Sequence, residues 1–410
     1  MDLIFESVEI CRTCKQPSLV EVLNLGSQPL ANSLVMSPGS KELRVPLVLL
    51  RCESCNLLQL SVNVNPLIMF SNYNWVTGTS TLSVDHCRIF ASRAIDSIGR
   101  RNFSVLEVGS NDGTLLQHLS TYGCKLLVGV DPAANLVQRY RDPLIGEINF
   151  FNSQTAIELG KKYSLFDLII ARNVFSHIPD FRDAISGVSH LMHSSSVFIM
   201  EFHWVYNILR DNHFDSIYHE HTYYHSISSV IEVLDEFGIV AFDAFHSPIS
   251  GGSIVLLSSK ENRSPSPKLA EFQEVEKTSG VNEASPWSTF AIDAEKTIIE
   301  LGKFLGKEFK SGVCGFGASA RSSTLLNALG SQSKKILSIV DNNELKVGYF
   351  SPGAGIPIES LTSALKRNPD AFVVFAFNFE EEILQQLSDI GWSGEVFFPL
   401  PYPSKTLRIN

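Results

Sequence analysis

The sequence predicts an α/β protein of several domains, and three observations carry that prediction. The chain has 410 residues, too many for one ordinary hydrophobic core, so two or three domains are expected. Two stretches, "NFSVLEVGSNDGTLLQHLSTYGCKLLVGVDP" and "SGVCGFGASARSSTLLNAL", each run an apolar strand into a glycine turn and then a helix. Doubly wound sheets are built from that unit. Ahead of both lie two Cys-x-x-Cys pairs, in a region of different character.

Composition narrows the class. A hydrophobic content of 44% with 27 phenylalanines argues for buried globular domains rather than disorder. The net charge of −10 weighs against a general nucleic-acid binder, which would show a basic face. No apolar run reaches the length of a membrane span, and "FVVFAF" at 372–377 is only a buried-strand candidate. The opening "MDLIFESVEICRTC" has neither a basic n-region nor a signal-peptide core. A cytoplasmic protein with no membrane or nucleic-acid partner is expected.

The cysteine pairs are Cys11 with Cys14 and Cys52 with Cys55. In a reducing compartment such knuckles read as thiolate ligands of one closed, tetrahedral, structural zinc site. A disulfide pair or buried free thiols are the alternatives. The pairs stand further apart than in a compact zinc ribbon, so the intervening residues must make their own turns or strands. Cys87, Cys124 and Cys314 stand alone.

In the central stretch, Val105–Val108 reads as a buried strand, the helix starts at Thr114, and a second apolar strand ends at Asp131. A third strand in "FDLIIARNVFSHIPD" ends in Arg172, Asn173 and His177. "SSVFIMEF" gives a fourth, and "GIVAFDAF" with "GGSIVLLSS" a hairpin closing the sheet. Gly109 and Gly113 let backbone approach a ligand, and Asp131 is spaced to accept hydrogen bonds from ribose hydroxyls. A dinucleotide site would favour G-x-G-x-x-G, because pyrophosphate needs bare backbone at a helix N-terminus. Here the loop is "EVGSNDG", flanked by Glu107 and Asp112. That negative charge suits a sulfonium and an ammonium, so S-adenosylmethionine (SAM) fits better than NAD. The expected cofactor-binding set is Glu107, Gly109, Asn111, Asp112, Gly113, Asp131 and Asn173. A glycine turn without a ligand is the competing reading.

A Pro/Ser-rich link, "KENRSPSPK", precedes a helical region from about Leu269 to Lys310. The second glycine turn follows, with Gly315 and Gly317 at the turn and Ser319 and Arg321 near the helix start. Backbone N–H groups and the helix dipole there could hold an anion, or the turn could merely pack a domain.

The motifs "LGSQPLANS", "LEVGSNDGTLL", "NVFSHIPD", "DSIYHEHTYY", "GFGASARSSTLLN", "VDNNELKVGYFSPGAGIPI" and "FAFNFEEEI" resemble, in this order, those of the SAM-dependent sugar C-methyltransferases. The resemblance covers nearly the whole chain. It implies a zinc-binding domain at 1–75, a class I Rossmann-like methyltransferase domain at 76–260 and a C-terminal Rossmann-like domain at 261–410. It also implies methyl transfer to a nucleotide-linked 4-keto deoxysugar of the TDP or GDP type, and the thiolate-zinc domain makes a self-contained monomer the expectation. Two departures concern the substrate pocket: Phe377 precedes Asn378 where the family often has tryptophan, and the segment at Tyr73 reads Tyr-Asn-Trp. Gly315, Gly317, Ser319, Arg321 and Asn378 are the expected substrate-binding residues.

On this resemblance the dense stretch "FDSIYHEHTYYHS" acquires a chemical purpose. Methylating carbon requires removal of a C–H proton and a hold on the enolate charge, hence a base and hydrogen-bond donors. The resemblance places Tyr218, Glu220 and His221 in that cluster, with His177 and Tyr73 beside it. His221 oriented by Glu220, or Tyr218 through a tyrosinate–histidine relay, would take the proton. A metal site is disfavoured by the absence of HExxH and HxxEH. His203, His213, His219 and His225 have no assigned role. The rival readings are a nucleotide-sugar oxidoreductase or epimerase using the second glycine loop for NAD(P), and a non-catalytic zinc scaffold.

Overall fold

A computed structural model of the chain describes residues 4–410, so the first three residues of the expected 1–75 segment lie outside it. The chain divides into two compact units. The first takes the residues up to Val20, then 51–206 and 220–282. The second takes 21–50, 207–219 and 283–410.

The first unit is built on seven strands: β1 (Ser104–Val108), β2 (Leu126–Val130), β3 (Ile145–Glu147), β4 (Phe166–Arg172), β5 (Met192–His203), β6 (Val240–Ser247) and β7 (Ser253–Ser259). Their order is β3-β2-β1-β4-β5-β7-β6. Strands β1 to β5 run parallel, and β7 lies antiparallel to both β5 and β6. The dinucleotide fold has the order 3-2-1-4-5-6. The hairpin inserts β7 beside β5 and so departs from it.

Both faces of this sheet are covered, which is why its central strands read as apolar runs. Leu106, Val108, Ile169 and Ala171 face helices α4 (Ser153–Tyr163), α5 (Phe181–Leu191), α6 (Ile227–Glu236) and α7 (Pro267–Ser279). Val105, Leu168, Ile170 and Ile199 face α1 (Thr81–Ile98) and α2 (Thr114–Leu119). Between them, α3 (Ala134–Val137) follows β2. Register sets Val108 beside Val130 and Ala171, and Arg172 beside Glu201. The polar residues that follow β1, β2, β4 and β5 therefore share one sheet edge, where the strand order reverses and ligands bind in open α/β sheets. In the same unit, Leu58–Leu60 pairs antiparallel with Tyr223–Tyr224.

The second unit carries β8 (Val313–Phe316), β9 (Ile336–Val340), β10 (Ile358–Glu359), β11 (Ala371–Val374), β12 (Gly394–Phe398) and β13 (Lys405–Ile409). Their order is β10-β9-β8-β11-β12-β13, parallel except for β13. The helical region expected from Leu269 to Lys310 is two helices. Gly280, at φ 69°, ends α7, and α8 (Ala284–Leu305) begins four residues later. The left-handed conformation favours glycine and stops the helix. Helix α9 (Ala320–Leu329) follows the second glycine turn. Among the described residues, no helix is long and apolar enough to cross a membrane.

Candidate active site

The first glycine turn holds its shape through left-handed backbone at Gly109 (φ 66°), Asn111 (φ 53°) and Gly113 (φ 79°). A Cβ on Gly109 would stand 2.4 Å from Val174 Cγ2, so no other residue fits there without movement. Asp131 accepts the Asn111 N–H through Oδ2 and the Ala133 N–H through Oδ1, both at 2.9 Å. This ties the ends of β1 and β2 together, and burial raises the Asp131 carboxyl above its ordinary range.

Glu107 is fully buried and accepts hydrogen bonds from Arg172 Nη2 at 3.1 Å and Nε at 3.3 Å. Burial pushes it up to about 7 against the pull of Arg172. Its Oε2 has no protein partner among the described residues, nor does Asn173 Oδ1, and both atoms are buried. One strand further on, Glu201 meets His86 Nε2 at 3.0 Å. Charges of alternating sign thus line the sheet edge.

A strap at residues 71–80 binds to the glycine turn. Asn111 Oδ1 accepts the Thr77 N–H at 2.9 Å, and Asn111 Nδ2 donates to Trp75 O at 3.0 Å. Asp112 Oδ2 accepts the Gly78 N–H at 3.0 Å. Asn135, just past Asp131, brackets Tyr73: its Oδ1 accepts the Tyr73 N–H at 3.1 Å and its Nδ2 donates to Tyr73 O at 3.0 Å. The side chains of Asn111 and Asp112, expected at the cofactor, are thus engaged with the strap.

The strap carries Tyr73 to the reactive cluster, where its hydroxyl donates to Glu220 Oε2 at 2.8 Å. The His221 ring lies 5.2 Å from that of His177 and 4.8 Å from that of His203, edge-on to the latter. Phe70 stacks on His177 at 5.3 Å. Glu220 and His221 are buried. Burial pulls His177 down to about 3, with His203 adding to the effect, so His177 is neutral at pH 7. Two hydrogen bonds pin the loop, from the Thr222 N–H (2.7 Å) and hydroxyl (2.9 Å) to Ser176 O. The structure therefore brings Tyr73, His177, Glu220 and His221 together. Tyr218 falls in the second unit, because the chain passes from one unit to the other between residues 219 and 220.

The four paired cysteines also meet. Their sulfurs all lie within 4.8 Å of one another, with Cys11–Cys55 and Cys14–Cys52 at 3.5 Å. Each knuckle is followed by a left-handed residue, Lys15 (φ 61°) and Asn56 (φ 62°), that turns the chain back. Contact with Cys55 draws the Cys11 thiol down to about 5.

In the second unit, the second glycine turn is closed by its own side chains. Ser319 and Ser322 form a reciprocal cap on α9. Asp341, after β9, accepts the Ala318 N–H at 2.9 Å and the Asn343 N–H at 2.8 Å, and Lys346 Nζ approaches it at 3.2 Å. The space a Cβ on Gly317 would take is filled by Ala376 at 2.6 Å. Arg321 is held by Asp215 in a two-pronged pair, at 2.7 and 2.9 Å, over the Phe377 ring. Gly315 lies within β8, paired with Ile339 and Val373, so of the two glycines expected at the turn only Gly317 is there; Asn378 is exposed on the turn Phe377–Phe379.

Three segments match known families. Residues 11–70 match a family described as "Putative zinc binding domain", 86–241 a methyltransferase domain, and 248–401 the C-methyltransferase C-terminal domain. C-methyltransferase NovU of Streptomyces niveus is 29% identical over 412 residues, covering 98% of each chain. These matches make the chain a SAM-dependent C-methyltransferase. Likeness to solved structures is slighter. The 1,6-didemethyltoxoflavin-N1-methyltransferase of Burkholderia thailandensis is 16% identical, covering 43% of this chain and 79% of that one, at a TM-score of 0.33. The magnesium protoporphyrin IX methyltransferase of Synechocystis PCC 6803 is also 16% identical, covering 43% and 78%, at 0.31.

For this C-methyltransferase, SAM is the cofactor and the first glycine turn has the chemistry to receive it. Among the described residues, Glu107 Oε2 and Asn173 Oδ1 are acceptors without protein donors, as a cationic ligand requires. The oxidoreductase reading is not favoured, since Lys346 already faces the carboxylate that a dinucleotide ribose would need. The four thiolates fit a closed zinc site, whose ligand set leaves no position for catalysis. Sequence reasoning passed over Asn135, His86 and Glu201, and left His203 without a role. Each meets its partner only through long-range folding, and the polar ending of β4 at Arg172 was the one local signal.

Proposed function

We propose that this C-methyltransferase methylates C3 of a nucleotide-linked 4-keto deoxysugar through an enolate. The observation that carries the reading is the partly buried Tyr73–Glu220 hydrogen bond, next in the chain to the His221 ring that packs on His177. Carbon beside a ketone yields its proton only to a positioned base. His221 takes the C3 proton. Glu220, itself held by Tyr73, orients the imidazole. Neutral His177 can offer an N–H to developing negative charge without contributing a cation of its own. Tyr218 donates to the ketone oxygen. SAM, when bound, supplies the electrophilic methyl group. Gly315, Gly317, Ser319, Arg321 and Asn378 are assigned to the nucleotide portion, with Arg321 reaching it only from its pairing with Asp215.

The test is mass spectrometry of TDP- and GDP-linked 4-keto-6-deoxyhexoses incubated with the protein and SAM. Gain of one methyl, located on C3 by fragmentation, is the expected result. Methylation on oxygen or nitrogen instead would overturn the enolate reading.

A further inference from the structure

Glu276 is a buried carboxylate that the proposed chemistry leaves without a task. It stands on α7, only 2% exposed. It lies beyond the methyltransferase-domain match and inside the C-methyltransferase C-terminal domain match. A carboxylate that gives up its water needs protein donors in exchange. Oε1 accepts the Trp204 indole N–H and the Ile227 N–H, both at 2.6 Å. Oε2 accepts the Ser228 N–H at 3.1 Å and its hydroxyl at 3.2 Å.

The segments joined by these bonds flank the reactive histidines. Trp204 directly follows His203 at the end of β5. Ile227 opens α6, at the far end of the loop that carries Glu220 and His221. The Val205 N–H donates to His225 O at 3.1 Å, linking the same two segments again. Phe272, one turn earlier on α7, meets the Trp204 ring edge-on at 5.5 Å. Helix α7 thus holds the indole by its face and by its N–H. We propose that Glu276 is a positioning residue, which fixes the His221 loop against His203 and so sets the direction in which His221 addresses the substrate. This rests on the reading of His221 as the base.

The experiment compares Glu276→Leu with Glu276→Gln, using whichever TDP- or GDP-linked 4-keto-6-deoxyhexose the wild type methylates. Readouts are kcat, the KM for each substrate, SAM affinity and melting temperature, with rates taken well below the melting transition. A displacement near 1 Å at a reacting group costs on the order of 10²-fold, so Glu276→Leu should lose about 10- to 100-fold in kcat. SAM affinity should be unchanged. Glutamine can keep Oε1 on Trp204 and Ile227, so Glu276→Gln should recover activity to within roughly threefold of wild type. A leucine variant that melts lower but turns over normally would overturn the proposal, since that is what a purely structural role gives. If the leucine variant does not fold, Trp204→Phe and Ser228→Ala carry the test. Lowered kcat in a folded Trp204→Phe protein supports the clamp, and normal kcat in both variants overturns it. His221→Asn separates the two readings: if it stays active while the Glu276 effect persists, the base assignment fails and the clamp stands.

Discussion

The two glycine turns look alike in sequence and differ in what their carboxylates touch. Each follows a strand, opens a helix and faces an aspartate at the end of the next strand. After β2, Asp131 is held by two backbone N–H groups and, among the described residues, by no cation, and Glu107 Oε2 nearby has no protein donor among them. After β9, Asp341 is neutralised by Lys346, and α9 is capped by its own serines. The first turn keeps acceptors ready for a cation, and the second answers its charge internally. A glycine turn supplies room for a ligand, but the unanswered charge beside it decides which ligand is taken.

The largest expected effect separates the units by their metal. Structural zinc in zinc-finger peptides binds with about 10–16 kcal/mol, which couples directly to folding. Cys11 and Cys52 belong to the same buried cluster as Leu106 and Ile169 of the central sheet. Zinc removal, or Cys52→Ser, should therefore lower the melting of the cofactor-binding unit and not merely loosen the knuckles. Metal analysis should give about one zinc per chain. A zinc-free protein that melts unchanged would break this coupling.

Next comes the base. His221→Asn should reduce methylation by about 10²–10⁴. It should also abolish solvent-deuterium exchange at C3 while SAM still binds, because the imidazole lies outside the glycine turn. Near-normal methylation would pass the role to Tyr218 or His177.

The comparison itself is sharpened by paired substitutions. Asp131→Ala should weaken SAM binding by roughly ten- to a hundredfold, the loss of one charge-assisted hydrogen-bonding group at about 1.5–3 kcal/mol. Asp341→Ala should leave SAM affinity unchanged and show its effect in stability, since it strands Lys346. Equal losses in both variants, measured by calorimetry, would mean that the two turns are not functionally different.

What was legible in the sequence was local. The strand–turn–helix units, the hairpin and the cysteine knuckles each announce themselves within a few residues, through apolar runs, glycine and ligand spacing. The fold's departure from dinucleotide order was visible only in part: the hairpin was readable, but not that β7 sits between β5 and β6. The strap was not readable, because Thr77 meets Asn111 across 34 positions and Tyr73 meets Glu220 across 147. Nor could spacing reveal that Arg321 is engaged by Asp215, 106 positions away. Residue type pointed to Arg321 as an anion ligand, and tertiary pairing gave it another partner.

The smallest predicted effect concerns protons rather than ligands. His225 is buried between Phe181, Phe202 and Tyr223, and burial pulls it from its ordinary 6.5 down to about 3. Between those values the unfolded chain binds a proton at this site that the folded chain refuses. Unfolding therefore becomes easier as pH falls, by about 1.4 kcal/mol per pH unit for one such group. His177 acts in the same direction, while Glu107, raised to about 7, acts oppositely. The net pH profile of the wild type thus mixes signs, and the informative quantity is a difference between proteins. His225→Phe fills the aromatic pocket and removes the titrating group. Urea unfolding at a series of pH values from 7 to 4.5 should show wild type losing stability relative to His225→Phe as pH drops, with the gap opening below about 6.5. A gap that stays constant across this range would show that His225 titrates alike in the folded and unfolded chain, and that its burial does not hold it neutral.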